Sequence, residues 1–278
     1  MTSSNILITG SKGQLGLSLK EVFQEHNFSD NLYFVDINEL DICNHKNVKD
    51  YIVSNKIDVI INCAAFTAVD NAEIELHLAE NINHYAVENL AMISKERNIK
   101  LIHISTDYVF DGKSNRPYSE EDETIPKTNY GLSKLNGELA IKKINPRNSI
   151  IIRTSWLYSK YSKNFVKNII KMSKVQSEID VIIDQVGSPT SAYDLALFIA
   201  EAIPKINNDN PQIYHYSNLG VCSWYDFALA IFEFSEIEFR VNPISSLNFN
   251  SIAKRPFYSV LSKDKVIKKF NLEIPHWR

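Results

Sequence analysis

The sequence predicts an α/β fold: a doubly wound, parallel, Rossmann-type sheet with a smaller C-terminal substrate-binding part. Three observations predict it. Short apolar runs alternate with amphipathic stretches through the first 155 residues. Three of the eight glycines crowd into the turn behind the first apolar run. Beyond residue 155 the alternation loosens, and six of the nine prolines fall there. Continuous apolar strands are those buried on both faces, as in a parallel sheet covered by helices. Right-handed crossovers between them wind the sheet in two directions from its centre.

Asn5–Thr9 reads as a buried strand, and Gln14–His26 as a helix with Leu15, Leu19, Val22 and Phe23 on one face. Leu32–Asp36 is a second strand, and Val48, Tyr51 and Ile52 mark a second helix. Asp58–Cys63 is a third strand. From Leu76 to Arg97, Ala79, Ile82, Ala86, Leu90 and Ile93 recur at helical spacing. Leu101–Ile104 is a fourth strand, followed by a helix over Lys127–Lys143 and a strand at Ser149–Arg153. The second half predicts helices at Asn164–Ser173, Ala192–Ala202, Trp224–Phe234 and Ser262–Phe270, with strands at Val181–Ile183 and Ile213–Tyr216. The expected division is a dinucleotide-binding domain over 1–155 and a mainly substrate-binding part over 156–278, with the chain crossing between them.

Bulk properties exclude several classes. The 278 residues suit one large domain or a domain with an annex. A net charge of −3 offers no basic field for nucleic acid or an anionic membrane, so an anionic substrate needs a local site. Cys43, Cys63 and Cys222 lack metal-finger or redox spacing and read as inert thiols. No charged leader or long apolar run is present, so neither a signal peptide nor a membrane span is expected, and the cytoplasm is the default.

Gly10, Gly13 and Gly16 lie between the first strand and the first helix. A tight strand-to-helix turn needs backbone angles that side chains forbid, and the helix N-terminus offers N–H groups and partial positive charge to a pyrophosphate. The spacing is G-x-x-G-x-x-G rather than G-x-G-x-x-G, so position carries more weight than spacing. A helix packed closely on a strand would need the same glycines. Asp36, 26 residues after Gly10, can accept hydrogen bonds from the adenosine ribose and repel a 2′-phosphate, or can serve as a strand-end turn residue. Asp41 and Ile42 would edge the adenine. The small residues of Asn62-Cys63-Ala64-Ala65 leave room for a cofactor, or for helix packing.

Tyr130 and Lys134 stand four apart on a predicted helix, which puts them on one face. A lysine cation beside a tyrosine favours the phenolate and lowers its pKa from about 10, so the pair is suited to proton exchange at a carbinol oxygen. Ser105 and Thr106 close the fourth strand, where a hydroxyl reaches the same oxygen.

Glycine turn, strand-four hydroxyl and Tyr-x-x-x-Lys in this order resemble the extended branch of the short-chain dehydrogenase/reductase superfamily. The stretches 104–112 (ISTDYVFDG), 62–70 (NCAAFTAVD), 153–158 (RTSWLY), 184–190 (DQVGSPT) and 223–228 (SWYDFA), with Arg255-Pro256 and Ser259-Val260-Leu261, are similar more narrowly to the dTDP-4-dehydrorhamnose reductase family. That resemblance implies hydride transfer from NADPH or NADH to the C4 ketone of a dTDP-6-deoxy-4-keto-hexose, giving dTDP-L-rhamnose. It implies Tyr130 as proton donor, Lys134 as ligand of the nicotinamide ribose, and Thr106 as holder of the C4 oxygen. Asp107 and Trp156 fall at sugar-binding positions with Tyr108 beside them. Gly13, Gln14 and Leu15 fall on the phosphate turn, and Ala64, Ala65 and Phe66 on the cofactor wall.

Some members of that family hold Mg²⁺ at a dimer contact through glutamates. Here Ser18 and Tyr193 occupy those positions, and the chain stops at Pro275-His276-Trp277-Arg278, where relatives continue into a further helix. No metal is therefore expected, and a monomer or weak homodimer is. Nucleotide-sugar dehydratases resemble Thr-Asp-Glu after strand four, whereas this chain has Thr106-Asp107-Tyr108. Another 4-keto-deoxysugar reductase, and a non-catalytic NADP-binding regulatory subunit like that of methionine adenosyltransferase, share the remaining motifs.

Overall fold

A computed structural model describes residues 3–26 and 28–278. The first half runs β1 (Asn5–Thr9), α1 (Gln14–Glu25), β2 (Asn31–Phe34), α2 (His45–Ser54), β3 (Val59–Asn62), the short helices α3 (Val69–Ala72) and α4 (Leu76–Glu80), α5 (Ala86–Arg97), β4 (Lys100–Thr106), α6 (Asn129–Ile144) and β5 (Ser149–Thr154). The second half runs β6 (Leu157–Tyr158), α7 (Phe165–Met172), β7 (Glu178–Ile182), β8 (Val186–Gly187), β9 (Thr190–Ser191), α8 (Ala192–Ala202), β10 (Gln212–His215), β11 (Cys222–Ser223), α9 (Trp224–Phe234), β12 (Arg240–Ile244) and α10 (Asp264–Phe270).

Six strands form one parallel sheet in the order β2-β1-β3-β4-β5-β10. Alternate residues of each strand enter opposite layers, as the pleat requires. Ile6, Ile8, Ile61, Ile102 and Ile152 pack against α1 and α8, while Leu7, Ile60, Leu101 and Ile151 pack against α2 and α5. The winding reverses at β1, whose neighbours β2 and β3 lie on opposite sides. Open α/β sheets place ligands beyond the strands' carboxyl ends at such a reversal. Register aligns those ends: Thr9 pairs with Asn62, and Thr106 with Thr154.

The predicted helix over Leu76–Arg97 is interrupted. Asn81–Tyr85 form a π-helical turn between α4 and α5. Asn83, buried in that turn, accepts Phe66 N–H at 2.9 Å and donates to Phe66 O at 3.0 Å and Ser133 Oγ at 3.0 Å. A polar side chain turned inward breaks an apolar period and satisfies backbone that a regular helix would leave unpaired.

After β5 the chain leaves the sheet to build a second apolar cluster from Ile169, Ile179, Val181, Phe227, Ile231 and Val241. β7 and β12, the latter absent from the sequence expectation, pair in parallel there. The chain returns twice: α8 packs on α1 while β10 extends the main sheet, and α10 covers β10. No helix among the described residues is long and apolar enough to cross a membrane.

Candidate active site

The turn between β1 and α1 fixes one end of the site. Gly10 has φ +62°, and a Cβ there would lie 2.7 Å from the Ala64 backbone. The turn closes with Gly13 N–H on Gly10 O at 3.0 Å, so α1 starts with its free N–H groups over the sheet edge. Asp36 accepts Lys12 N–H at 2.9 Å through Oδ2 and Ile37 N–H at 2.9 Å through Oδ1. Its carboxylate thus ties the glycine turn to the segment after β2.

The other end is built by β4 and α6. Thr128 caps α6 by accepting Gly131 N–H at 3.0 Å, which fixes the helix start two residues before Tyr130. Thr106 donates to Asp107 Oδ1 at 3.0 Å and accepts Tyr108 N–H at 3.2 Å. The Tyr108 ring meets the Tyr130 ring edge-on at 5.5 Å. Lys134 is buried and donates to Ile104 O at 2.6 Å.

The expected lowering of the Tyr130 pKa is not found. Burial pushes Tyr130 up to about 12, the Thr106 hydroxyl opposes the rise and the Asp107 charge adds to it. Lys134 is engaged by a backbone carbonyl, and burial lowers its pKa to about 8 against the pull of Glu138 and Cys63. A tyrosine held protonated still suits a proton donor. Burial also raises Asp107 to about 6, with the neighbouring Ser259 hydroxyl and the Thr106 hydrogen bond opposing. Asp107 Oδ2 has no hydrogen-bond partner among the described residues. A buried acceptor on a cavity wall fits a ligand hydroxyl.

A cavity of about 440 Å³ joins the two ends. It gathers Gly10, Gly13, Gln14, Leu15 and Gly16 from the turn, Ala65 from beyond β3, Thr106 from the end of β4, and Asp107 and Tyr108 from beyond it. Tyr130 and Lys134 from α6, and Trp156 from beyond β5, complete the predicted set on its wall. Asp36, Asp41, Ile42, Ala64 and Phe66 lie outside that lining. Asp41 borders a separate open hollow with Ile37, Glu39 and Tyr51, and Ile42 is buried in the protein. Ala64 and Phe66 present backbone to Thr9 and Asn83.

The cavity also includes Cys63, Thr67, Val69, Ser105, Thr154, Ser155, Leu157, Ser162, Lys163 and Trp224. Most fall inside the resemblance stretches without an assigned role; Ser105, expected with Thr106 to offer a hydroxyl to the reacting oxygen, instead gives its hydroxyl hydrogen to Glu138. Ser162 and Lys163 carry no sequence signal. Trp156 has φ +48°, a conformation uncommon outside glycine, asparagine and aspartate. Its ring stacks on Trp224 at 3.5 Å and 8°. Gly187 makes room for that ring, since a Cβ there would lie 2.6 Å from it.

Behind the wall, Arg153 pairs with Glu138 through Nε at 2.9 Å and Nη2 at 2.7 Å, and Ser105 donates to the same carboxylate at 2.6 Å. Both charges are buried, so their partners are protein groups rather than water.

A parallel sheet, a glycine turn at its reversal and a Tyr-x-x-x-Lys helix on the same cavity define a nicotinamide-dependent oxidoreductase of the short-chain type. The family described as RmlD substrate binding domain matches residues 4–278, and the chain belongs to it. It is 38% identical to the spore coat polysaccharide biosynthesis protein SpsK of Bacillus subtilis, over 99% of this chain and 94% of that protein. It is 37% identical to a dTDP-4-dehydrorhamnose reductase of Aggregatibacter actinomycetemcomitans, over 99% and 96%. The crystal structure of dTDP-4-dehydrorhamnose reductase from Bacillus anthracis in complex with NADP superposes with a TM-score of 0.93 at 38% identity, covering 99% of this chain and 96% of that one.

Proposed function

We propose that the protein reduces the C4 ketone of a dTDP-6-deoxy-4-keto-hexose, giving dTDP-L-rhamnose. The observation that carries this reading is the convergence of Thr106, Tyr130 and Lys134 on one cavity wall below the glycine turn. A bound NADPH or NADH supplies the hydride. Gly10, Gly13, Gln14, Leu15 and Gly16 receive its diphosphate, with α1 directing N–H groups at the negative charge. Ala64, Ala65 and Phe66 form its wall, and Asp36, Asp41 and Ile42 the adenosine end. Lys134 holds the nicotinamide ribose.

Hydride addition to a ketone leaves an alkoxide that must take a proton as it forms. Tyr130, protonated up to about pH 12, gives that proton. Thr106 orients the carbonyl oxygen, while Asp107, Tyr108 and Trp156 hold the sugar. Asp107 Oδ2, buried and unpartnered, accepts a sugar hydroxyl. Residues 1–155 act as the dinucleotide-binding domain and 156–278 mainly as the substrate-binding part, joined as a monomer or weak homodimer.

The test is nicotinamide oxidation by the isolated chain with a panel of dTDP-4-keto-6-deoxysugars. Turnover with the rhamnose precursor is expected. Turnover only with another sugar of the panel would reassign the product, and no turnover with any would favour a non-catalytic NADP-binding role.

A further inference from the structure

Behind Lys134 lies a buried hydrogen-bonded chain that the proposed reduction does not use. Lys134 Nζ is 3.4 Å from Nε2 of His103, a fully buried residue of β4. His103 Nδ1 lies 3.1 Å from Asn62 Nδ2. Asn62 Oδ1 accepts the Thr9 hydroxyl at 2.6 Å, while Thr9 Oγ1 accepts Ala64 N–H at 3.4 Å.

Counting hydrogens along the chain ties its sense to the charge on Lys134. Thr9 has one hydrogen, and the 2.6 Å contact to Asn62 Oδ1 has the length of an O–H···O bond. Asn62 therefore turns its NH₂ to His103. An amide N–H only donates, so His103 Nδ1 accepts, and a neutral imidazole then carries its hydrogen on Nε2. An Nε2–H facing Lys134 needs a lone pair there, which an amine has and an ammonium lacks. The chain also closes in the opposite sense. With the Asn62 carboxamide turned over and the imidazole hydrogen on Nδ1, Nε2 accepts from the ammonium.

We propose that His103 is a positioning residue whose tautomer is coupled, through Asn62, to the charge on Lys134. This deepens the reading above, since it rests on Lys134 holding the nicotinamide ribose. The coupling gives a buried lysine an acceptor when charged and a donor when neutral, so its amine keeps one place against Ile104 O in both states.

The titratable groups facing Lys134 are His103 from β4, Cys63 beyond β3 and Glu138 from its own helix, with Tyr130 on the same cavity wall. Glu138 is paired with Arg153. Burial pushes Cys63 and Tyr130 up to about 12, holds His103 well below the ordinary histidine range, and lowers Lys134 to about 8. Between about pH 6.5 and about pH 9.5, an imidazole held neutral by burial keeps its charge. Lys134 changes its own across the same window.

The direct test is ¹⁵N NMR of histidine-labelled protein, with His103 assigned by the signal lost in His103→Gln. The expected result is an acceptor-type Nε2 at about pH 6.5 and a protonated Nε2 at about pH 9.5, with the change abolished in Lys134→Met. One tautomer at both pH values, or an imidazolium, would overturn the proposal. A second arm reads NADPH affinity by fluorescence. His103→Gln, whose terminal amide can present either oxygen or N–H, should stay within about threefold of the parent. His103→Phe presents neither and should bind about tenfold more weakly, the worth of one buried hydrogen bond. Equal affinities for the two variants would contradict the coupling. Neither arm reads sugar reduction, so failure here is distinguishable from failure of the reductase reading.

Discussion

The two ends of the proposed cofactor crevice are built on different principles. At the β4 end, Lys134, Asp107, Glu138 and Arg153 are all buried and take their partners from protein groups. At the other end Asp36, Glu39 and Lys12 meet on an open rim beside Ile37, which is 67% exposed. Water can replace any partner lost at the rim and none lost in the interior. Equal chemical changes should therefore cost much inside and little outside.

Arg153→Met is the severest way to break that contrast. It leaves the Glu138 carboxylate buried without its cation, and removing one partner of a buried pair costs about 3–5 kcal/mol. Chemical denaturation should show a loss of that size, largely recovered by adding Glu138→Leu. A change below about 1 kcal/mol would mean that water reaches the pair.

Asp107 sharpens the comparison through pH. Its carboxyl, raised to about 6 by burial, binds its proton more tightly folded than unfolded. The stability this contributes is complete below about pH 4 and is lost as pH rises through about 6. At neutral pH, Asp107→Asn should therefore be more stable than the parent by up to roughly 3 kcal/mol, the two converging near pH 4. The same variant should lose sugar affinity. Denaturation midpoints across that range check the first effect, and equal curves would mean that Asp107 is hydrated.

Asp36→Ala should have the smallest effect. Removing a half-buried carboxylate at this open rim relieves repulsion of a 2′-phosphate, so kcat/KM for NADPH over NADH should rise by about fivefold or less. An unchanged ratio would leave Asp36 only its ties to the Lys12 and Ile37 N–H groups.

This contrast also explains what the sequence disclosed. The buried end was legible because its geometry demands residue types at set spacings: Tyr130 and Lys134 one helical turn apart, and Thr106 at a strand end. The sheet was legible because strands buried on both faces read as unbroken apolar runs. The π turn at Asn81–Tyr85 was not, because its cause is the distant Phe66 backbone. The sign of the Tyr130 shift was misread because spacing shows that a lysine is near but not that the Ile104 carbonyl engages it or that burial dominates. Ser162 and Lys163 reach the cavity from an irregular segment whose course no local pattern fixes. His103 looked like any polar residue in an apolar strand. Its partners, Asn62 and Lys134, lie 41 and 31 residues away.

The central claim is that this wall protonates a ketone oxygen through Tyr130. Tyr130→Phe keeps the ring and its edge contact with Tyr108 and removes the hydroxyl alone. Single-turnover reduction of the dTDP-4-keto-6-deoxysugar by pre-bound NADPH, measured beside NADPH affinity, tests it most directly. The account predicts a rate lower by about 10²–10⁴ with affinity nearly unchanged. Reduction by Tyr130→Phe at close to the parent rate would contradict it.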